Sequence, residues 1–265
     1  GIFEPSKSKL LLKTNWDQTM IAPIYSNNKL NSLIVGVSNY ESGSPQLPSA
    51  ALYDFSNQKT AAIRTGMNGS TGAICQTDLN GDDELEFFLA GQIVPGHYPS
   101  PADSVLMRII NGKSEILHKW DKLGMVQGAV FSDIYGDGKP ELIISQHWGS
   151  LRVFTWKNKD WTPLEITEQL GLSKYKGWWN GVATGDFNND GLIDLIATNW
   201  GLNWRNKPSV TTPKRIYFGD LYEDGTTAAI EASFVDNEWR PDRRLNILRA
   251  ALPPIRENIA TYESL

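Results

Sequence analysis

Asp186-Phe187-Asn188-Asn189-Asp190-Gly191-Leu192-Ile193-Asp194 sets oxygen-bearing side chains at positions 1, 3, 5 and 9 of a nine-residue stretch. Two more stretches fall into the same frame: Asp78-Leu79-Asn80-Gly81-Asp82-Asp83-Glu84-Leu85-Glu86 and Asp133-Ile134-Tyr135-Gly136-Asp137-Gly138-Lys139-Pro140-Glu141. Ordinary β-turns are also rich in Asp, Asn and Gly, whose side chains bond their own backbone. Three stretches with three acids each in phase, each running on into an apolar segment, exceed what turns alone require, because crowded carboxylates repel unless a cation offsets them.

The ion such a frame suits is Ca2+, a hard cation that takes roughly six to eight oxygens at about 2.3–2.6 Å. A chain coiled around it presents side chains from positions 1, 3 and 5, a backbone carbonyl from position 7 and a closing carboxylate from position 9. The first loop would use Asp78, Asn80, Asp82, the carbonyl of Glu84 and Glu86, and the third Asp186, Asn188, Asp190, the carbonyl of Leu192 and Asp194. The second offers Asp133, Asp137, the carbonyl of Lys139 and Glu141, with Tyr135 at position 3 contributing a carbonyl or a water instead of a carboxylate. Position 6 holds Gly138 and Gly191, free to adopt positive φ, and in the first loop Asp83, one of the few other residues that tolerate it. The expected cofactor is two or three structural Ca2+ ions.

Stepping through the chain at this spacing finds two degenerate copies. One begins at Pro23 and runs through Asn27, Asn28 and Asn31 with its acids lost. The other, Asp220 to Ala228, has alanine where the closing acid should stand. First positions fall at 23, 78, 133, 186 and 220, intervals of 55, 55, 53 and 34 residues. Each copy pairs an entering apolar run with a second after the loop, as in Gly128-Ala-Val-Phe-Ser and Glu141-Leu-Ile-Ile-Ser. Further strands fit Val105 to Ile110, Glu115 to Trp120 and Ser150 to Trp156. About four strands per unit is the content of a propeller blade.

These loops and strands resemble the FG-GAP or VCBS-type repeats, whose calcium-loop blades build the propellers of integrin α-subunits. Val94-Pro95-Gly96-His97-Tyr98-Pro99 is similar to a segment of the ASPIC/UnbV and cartilage acidic protein group. The resemblance covers residues 20 to about 236 and implies an all-β fold, a β-propeller of about five four-stranded blades with a short helical C-terminal tail. Family propellers have about seven blades, so the chain either closes as a small ring or forms part of a larger one. A closed ring is favoured, since an open sheet edge invites aggregation. The expected division is a lead-in strand over 1–19, the propeller over 20–240 and a helical tail over 241–265 whose short helix stops at Pro253-Pro254.

With 265 residues, 40% of them hydrophobic, the chain can bury a sizeable core, and uniform repeats argue for one domain. No run of 18 apolar residues is present, so no transmembrane segment is expected. The start, Gly1-Ile-Phe-Glu-Pro, has the look of a processed or trimmed chain. The lone Cys75 reads as a small buried hydrophobe. A formal charge of −5 with no basic stripe argues against nucleic acid. Calcium loops of modest affinity fill at extracellular millimolar calcium, so the expected location is extracellular, periplasmic or at the cell surface.

The turns following the second strand of each unit lie at the end opposite the loops. They carry His97, Tyr98, His147, Trp148, Trp200, Trp204 and Trp239, and Trp178 and Trp179 belong near them. Aromatic platforms with neighbouring amides suit a protein or carbohydrate ligand, although Trp and Tyr also pack between blades. No HExxH, GxSxG or Walker-type motif is present, and the glycine-rich Gly66–Gly72 lacks the lysine of a phosphate loop. The reading is a non-catalytic, calcium-binding extracellular module for binding, adhesion or scaffolding. Alternatives are a carbohydrate-active lyase or hydrolase, with His97 or His147 as base, and a structural subunit of a larger assembly.

Overall fold

The computed structural model describes residues 17–26, 29–44, 48–110, 112–157, 161–204, 207–222, 224–252 and 256. Nearly all of the expected lead-in strand, Asn27 and Asn28 of the degenerate first copy, and the tail beyond Leu252 except Arg256 lie outside the described residues.

The described chain is all-β, arranged in four antiparallel sheets with one C-terminal helix. The first sheet comprises β1 (Gln18–Ser26), β2 (Lys29–Val37), β3 (Ala50–Asp54) and β4 (Lys59–Ile63), paired in chain order. The second repeats this order with β5 (Thr71–Thr77), β6 (Glu86–Gly91), β7 (Ser104–Ile110) and β8 (Lys113–Trp120). The third holds β9 (Met125–Ser132), β10 (Glu141–Gly149), β11 (Arg152–Lys157) and β12 (Thr162–Glu165), and β13 (Gly177–Gly185) and β14 (Asp194–Asn199) join it through β10. The last contains β15 (Lys214–Gly219), β16 (Ala228–Val235) and β17 (Glu238–Pro241), followed by helix α1 (Leu245–Ala251).

Alternation of side chains across a strand explains how these sheets stack. Along β6 and β7, Phe87, Leu89, Val105 and Met107 face one way, into a core shared with Ala22, Ile34 and Ile63 of the first sheet. Phe88, Ala90 and Leu106 face the other way, against Leu142, Ile144 and Phe154 of the third. The next residue in register, Ile143 with Val153, turns toward Val182 and Leu195 of β13 and β14. Strands covered on both faces read as unbroken apolar runs, which is why Phe87-Phe88-Leu89 and Leu142-Ile143-Ile144 carry no polar residue. Full burial of each such side chain contributes about 1.5–3 kcal/mol.

The leading strand of each unit packs on the next: β1 on β5, β5 on β9, β9 on β13. Glycine permits the approach. A Cβ on Gly72 of β5 would stand 2.3 Å from the Val126 carbonyl oxygen of β9, and one on Gly128 of β9 would meet the Gly181 Cα of β13 at 3.1 Å.

The expectation of four strands per unit holds for the first three units and fails for the last two. Between β14 and β15 lie a short 3-10 turn (Gly201–Asn203) and a Pro-bounded stretch over 207–213, with no outer hairpin among the described residues. The interval of 34 residues is too short to hold one. Neither β13 nor β14 contains a buried residue, and Ile196 is 48% exposed. The fifth copy also departs from the series. Thr227 Oγ1 lies 3.1 Å from His97 Nδ1, so the loop at Asp220 meets the 94–100 turn instead of lying level with the other loops. Among the described residues β15 pairs with neither β13 nor β1, and no closed ring is seen. The expected short helix is present as α1.

The glycine contacts generate a direct test. Gly72→Ala should destabilise the chain by about 1–3 kcal/mol, because a backbone carbonyl cannot yield as a side chain does. Gly219→Ala, with nothing within 4 Å of its Cβ, should stay within about 0.5 kcal/mol. Urea unfolding of both variants measures the difference.

Candidate functional site

Two chemically distinct regions lie at opposite ends of the strands. At one end are the acidic loops joining β5 to β6, β9 to β10 and β13 to β14. Their hydrogen bonds repeat nearly position for position. The position-1 carboxylate closes each loop on itself: Asp78 accepts from the backbone N–H of Asn80, Gly81, Asp82 and Asp83, Asp133 from Asp137 and Gly138, and Asp186 from Asp190 and Gly191. The position-5 carboxylate accepts from position 7, Glu84, Lys139 or Leu192. The Asn80 and Asn188 amides donate to Asp82 and Asp190, whereas Tyr135 is 59% exposed. Positions 4 and 6 are left-handed in all three loops, at Gly81 and Asp83, Gly136 and Gly138, and Asn189 and Gly191.

The closing acid ties each loop to the core. Glu86, Glu141 and Asp194 each accept the position-2 N–H, from Leu79, Ile134 and Phe187. Glu86 and Glu141 are buried as the first residues of β6 and β10, at 0% and 2% exposure. Burial pushes the Glu86 carboxyl above its usual range, and the charges of Asp82 and Asp78 add to this against the Leu79 N–H. Glu141 is raised by burial in the same way, with Asp137 adding to the effect. For Asp78 burial opposes ionisation, but four backbone N–H groups outweigh it and hold the carboxyl below the usual range.

Among the described residues no three His, Cys, Asp or Glu side chains converge as a metal cluster, and the loop carboxylates accept from backbone N–H groups instead. The donor set nonetheless fits a hard cation. Every loop side chain at positions 1 and 5 ends in oxygen, and Glu86 Oε1 is a buried acceptor with no hydrogen-bond partner, an arrangement that costs about 1–3 kcal/mol or more for a charged group.

At the other end, Trp148, Trp178, Trp200 and Trp204 form one cluster of tilted and edge-to-face rings, with centroids 5.1–5.8 Å apart in contacting pairs. The β10–β13 pairing assembles it: His147 stands opposite Trp178 and Gly149 opposite Gly177, with a bulge between. Trp148 sits in that bulge at φ +61°, a conformation costing roughly 1–2 kcal/mol for a residue with a Cβ. Its Nε1 donates to Tyr98 Oη at 3.1 Å. His147 stacks on Trp178 at 4.0 Å and its Nε2 lies 3.0 Å from Asn180 Oδ1. Burial lowers the His147 imidazole below its usual range, with the Asn180 contact opposing.

A cleft of about 250 Å³ opens beside this cluster, lined by Trp148, Trp178, Trp179 and Trp204 together with Lys176 and Lys214. Lys214 pairs with Asp242 and its Nζ lies 4.9 Å over the Trp204 ring. Trp179 donates Nε1 to the Tyr175 carbonyl at 3.0 Å. Of the rim residues expected from sequence, Trp239 stands apart, packed on Phe234 beneath the Arg215 guanidinium. Tyr98 and His147 buttress the cluster, and His97 faces Thr227. Sequence reading missed Tyr175, Lys176, Ser209, Val210 and Lys214; the prolines Pro208 and Pro213, which shape the loop bringing the last three to the cleft, were the available signal.

Comparison with known proteins gives one family match. The model of the FG-GAP-like repeat family matches residues 133–197, spanning the second and third acidic loops. No curated protein matches the sequence. Among solved structures the chain is similar to the rhamnogalacturonan lyase PL11 of Bacillus licheniformis, at 12% identity and TM-score 0.43, covering 82% of this chain and 46% of the lyase. It is also similar to a Xanthomonas type IV secretion system related protein, at 13% identity and TM-score 0.21, covering 66% of this chain and 99% of that one. The chain thus spans less than half the length of the lyase. Among the described residues no helix is long and apolar enough to cross a membrane. The match over residues 133–197 is consistent with a repeat family of the FG-GAP/VCBS type.

Proposed function

We propose that this chain is a calcium-stabilised, β-propeller-like binding module that works outside the cytoplasm and holds a ligand without transforming it. The observation that carries this reading is the separation of two specialised ends on one set of strands: acidic loops at one, a tryptophan cleft at the other. Calcium at the loops would offset the buried charge of Glu86 and Glu141, and extracellular calcium concentrations suit loops of this type. The cleft combines flat apolar area with a few polar groups, which is the character of a ligand site. Among the described residues its ionisable lining is Lys176, Lys214 and Tyr175, a set suited to holding an anion more than to paired acid–base work.

One observation favours a second reading, as a subunit of a larger assembly. Among the described residues β14 pairs only with β13, leaving its outer edge open near exposed Phe187, Leu192 and Ile196. Under this reading the mass measured by light scattering should rise with protein concentration, and a constant monomer mass would refute it.

Calcium added to EDTA-treated protein should raise the melting temperature, with about 2.7 kcal/mol per site at a hundredfold excess over Kd. Glu86→Gln should lose part of that gain. In EDTA the raised Glu86 and Glu141 carboxyls bind protons more tightly folded than unfolded. Their contribution is therefore present at acidic pH and fades as pH rises through and above the ordinary glutamate range. The double variant Glu86→Gln, Glu141→Gln should flatten that decline, measured as melting temperature against pH. No calcium response in the wild-type chain would reduce the loops to acidic turns.

A further inference from the structure

We propose that the tryptophan cleft takes a uronate residue of an acidic glycan, its ring lying on Trp179 and its carboxylate meeting Lys176. This rests on the reading of the chain as a binding module and names its ligand class.

The argument begins with Trp179. The four clustered tryptophans spend ring surface on one another, and His147 and Lys214 lie against Trp178 and Trp204. Trp179 lines the same cleft but makes no ring contact among the described residues, while its Nε1 bond to Tyr175 fixes its orientation. A rigid, unstacked indole is a preorganised platform, and preorganisation lowers the entropy lost on binding. The flat C–H face of a pyranose matches such a surface, and the hydroxyls at its edge need hydrogen-bonding groups. Ser209 stands in the lining, as does Asn199, whose Oδ1 accepts from Gly201 N–H and whose amide carries two N–H donors.

Charge decides between a neutral and an acidic sugar. The chain as a whole carries −5, yet among the described residues the cleft lining holds two lysines and no carboxylate. Lys214 is engaged by Asp242 and largely buried. Lys176 is exposed and forms no ion pair among the described residues, and Lys174 lies nearby over the Tyr175 ring. A cationic cleft on an acidic protein favours an anion by complementarity. An acidic peptide shares that charge but lacks the stacking face that Trp179 offers, and the cleft, at about 250 Å³, has room for one ring more readily than for a folded segment.

The test uses the full chain with calcium present. An oligoglucuronate and its carboxyl-reduced neutral counterpart are titrated while tryptophan fluorescence is followed, with an acidic peptide as a third arm. The uronate should bind about tenfold more tightly than the neutral sugar, the worth of one charge-assisted hydrogen bond. Lys176→Ala should erase that preference, bringing the uronate down to the affinity of the neutral sugar. Trp179→Ala should weaken both sugars, with an unchanged near-ultraviolet circular dichroism band from the Trp148–Trp204 cluster confirming that the variant is folded. Equal affinity for the two sugars, or a preference that survives Lys176→Ala, overturns the assignment of a uronate. Trp179-dependent binding of the acidic peptide alone overturns it too, but keeps the cleft as a ligand site. Failure of all three probes to bind overturns the uronate and removes the support of the cleft for a binding module.

Discussion

A carboxylate buried at the first residue of an apolar strand is the constraint on which the acidic end depends. Glu86 and Glu141 open β6 and β10, strands covered on both faces, and each must hold its charge where Phe88 and Leu142 exclude water. One oxygen accepts the position-2 N–H and so locks the loop to the strand. Burying a charged group without full compensation is expensive, and the unpartnered Glu86 Oε1 shows where compensation by protein atoms ends. Loop and core are therefore coupled. A cation at the loops would act on the stability of whole sheets because the ligand that closes the loop also begins the central strand.

The acidic loops and the first three units were legible in the sequence for physical reasons. Side-chain oxygens at alternating positions and left-handed residues at fixed ones are local demands of one turn, so they are written contiguously. The same holds for Phe87-Phe88-Leu89, where two-sided burial leaves an unbroken apolar run. The last two units were less legible because strand number depends on which segments find partners. Residues 200–213 carry enough Trp, Leu and Val to pass for strand material, but Gly201, Pro208 and Pro213 break the pattern. The position of the Asp220 loop beside His97 is a long-range contact that no local pattern announces.

The rim was legible as a set of aromatic residues and not as a constellation. Following the frame to the turn after the second strand of each unit put Trp148, Trp200 and Trp204 on one rim, where their rings meet, because strand length and direction fix the end at which a turn emerges. Trp239 followed the same count but belongs to the displaced last sheet, so it stands beside Arg215 instead. The cleft itself is made by features outside the count: a bulge at Trp148, the Lys174–Lys176 approach to β13 and the loop before β15.

The bulge explains why the aromatic end takes its shape. Regular pairing would send the side chains of His147, Trp148 and Gly149 to alternate faces of β10. Inserting Trp148 as an unpaired residue lets His147 remain opposite Trp178 while Trp148 turns into the ring cluster and bonds Tyr98 from the preceding unit. Its left-handed backbone is held by those contacts, since roughly 1–2 kcal/mol of strain is offset by edge-to-face packing of about 0.5–1.5 kcal/mol per ring pair and by the hydrogen bond. Strain maintained by surroundings collects where a site needs a fixed geometry. Here it joins the second unit to β13 and sets the wall against which Trp179 and Lys176 open.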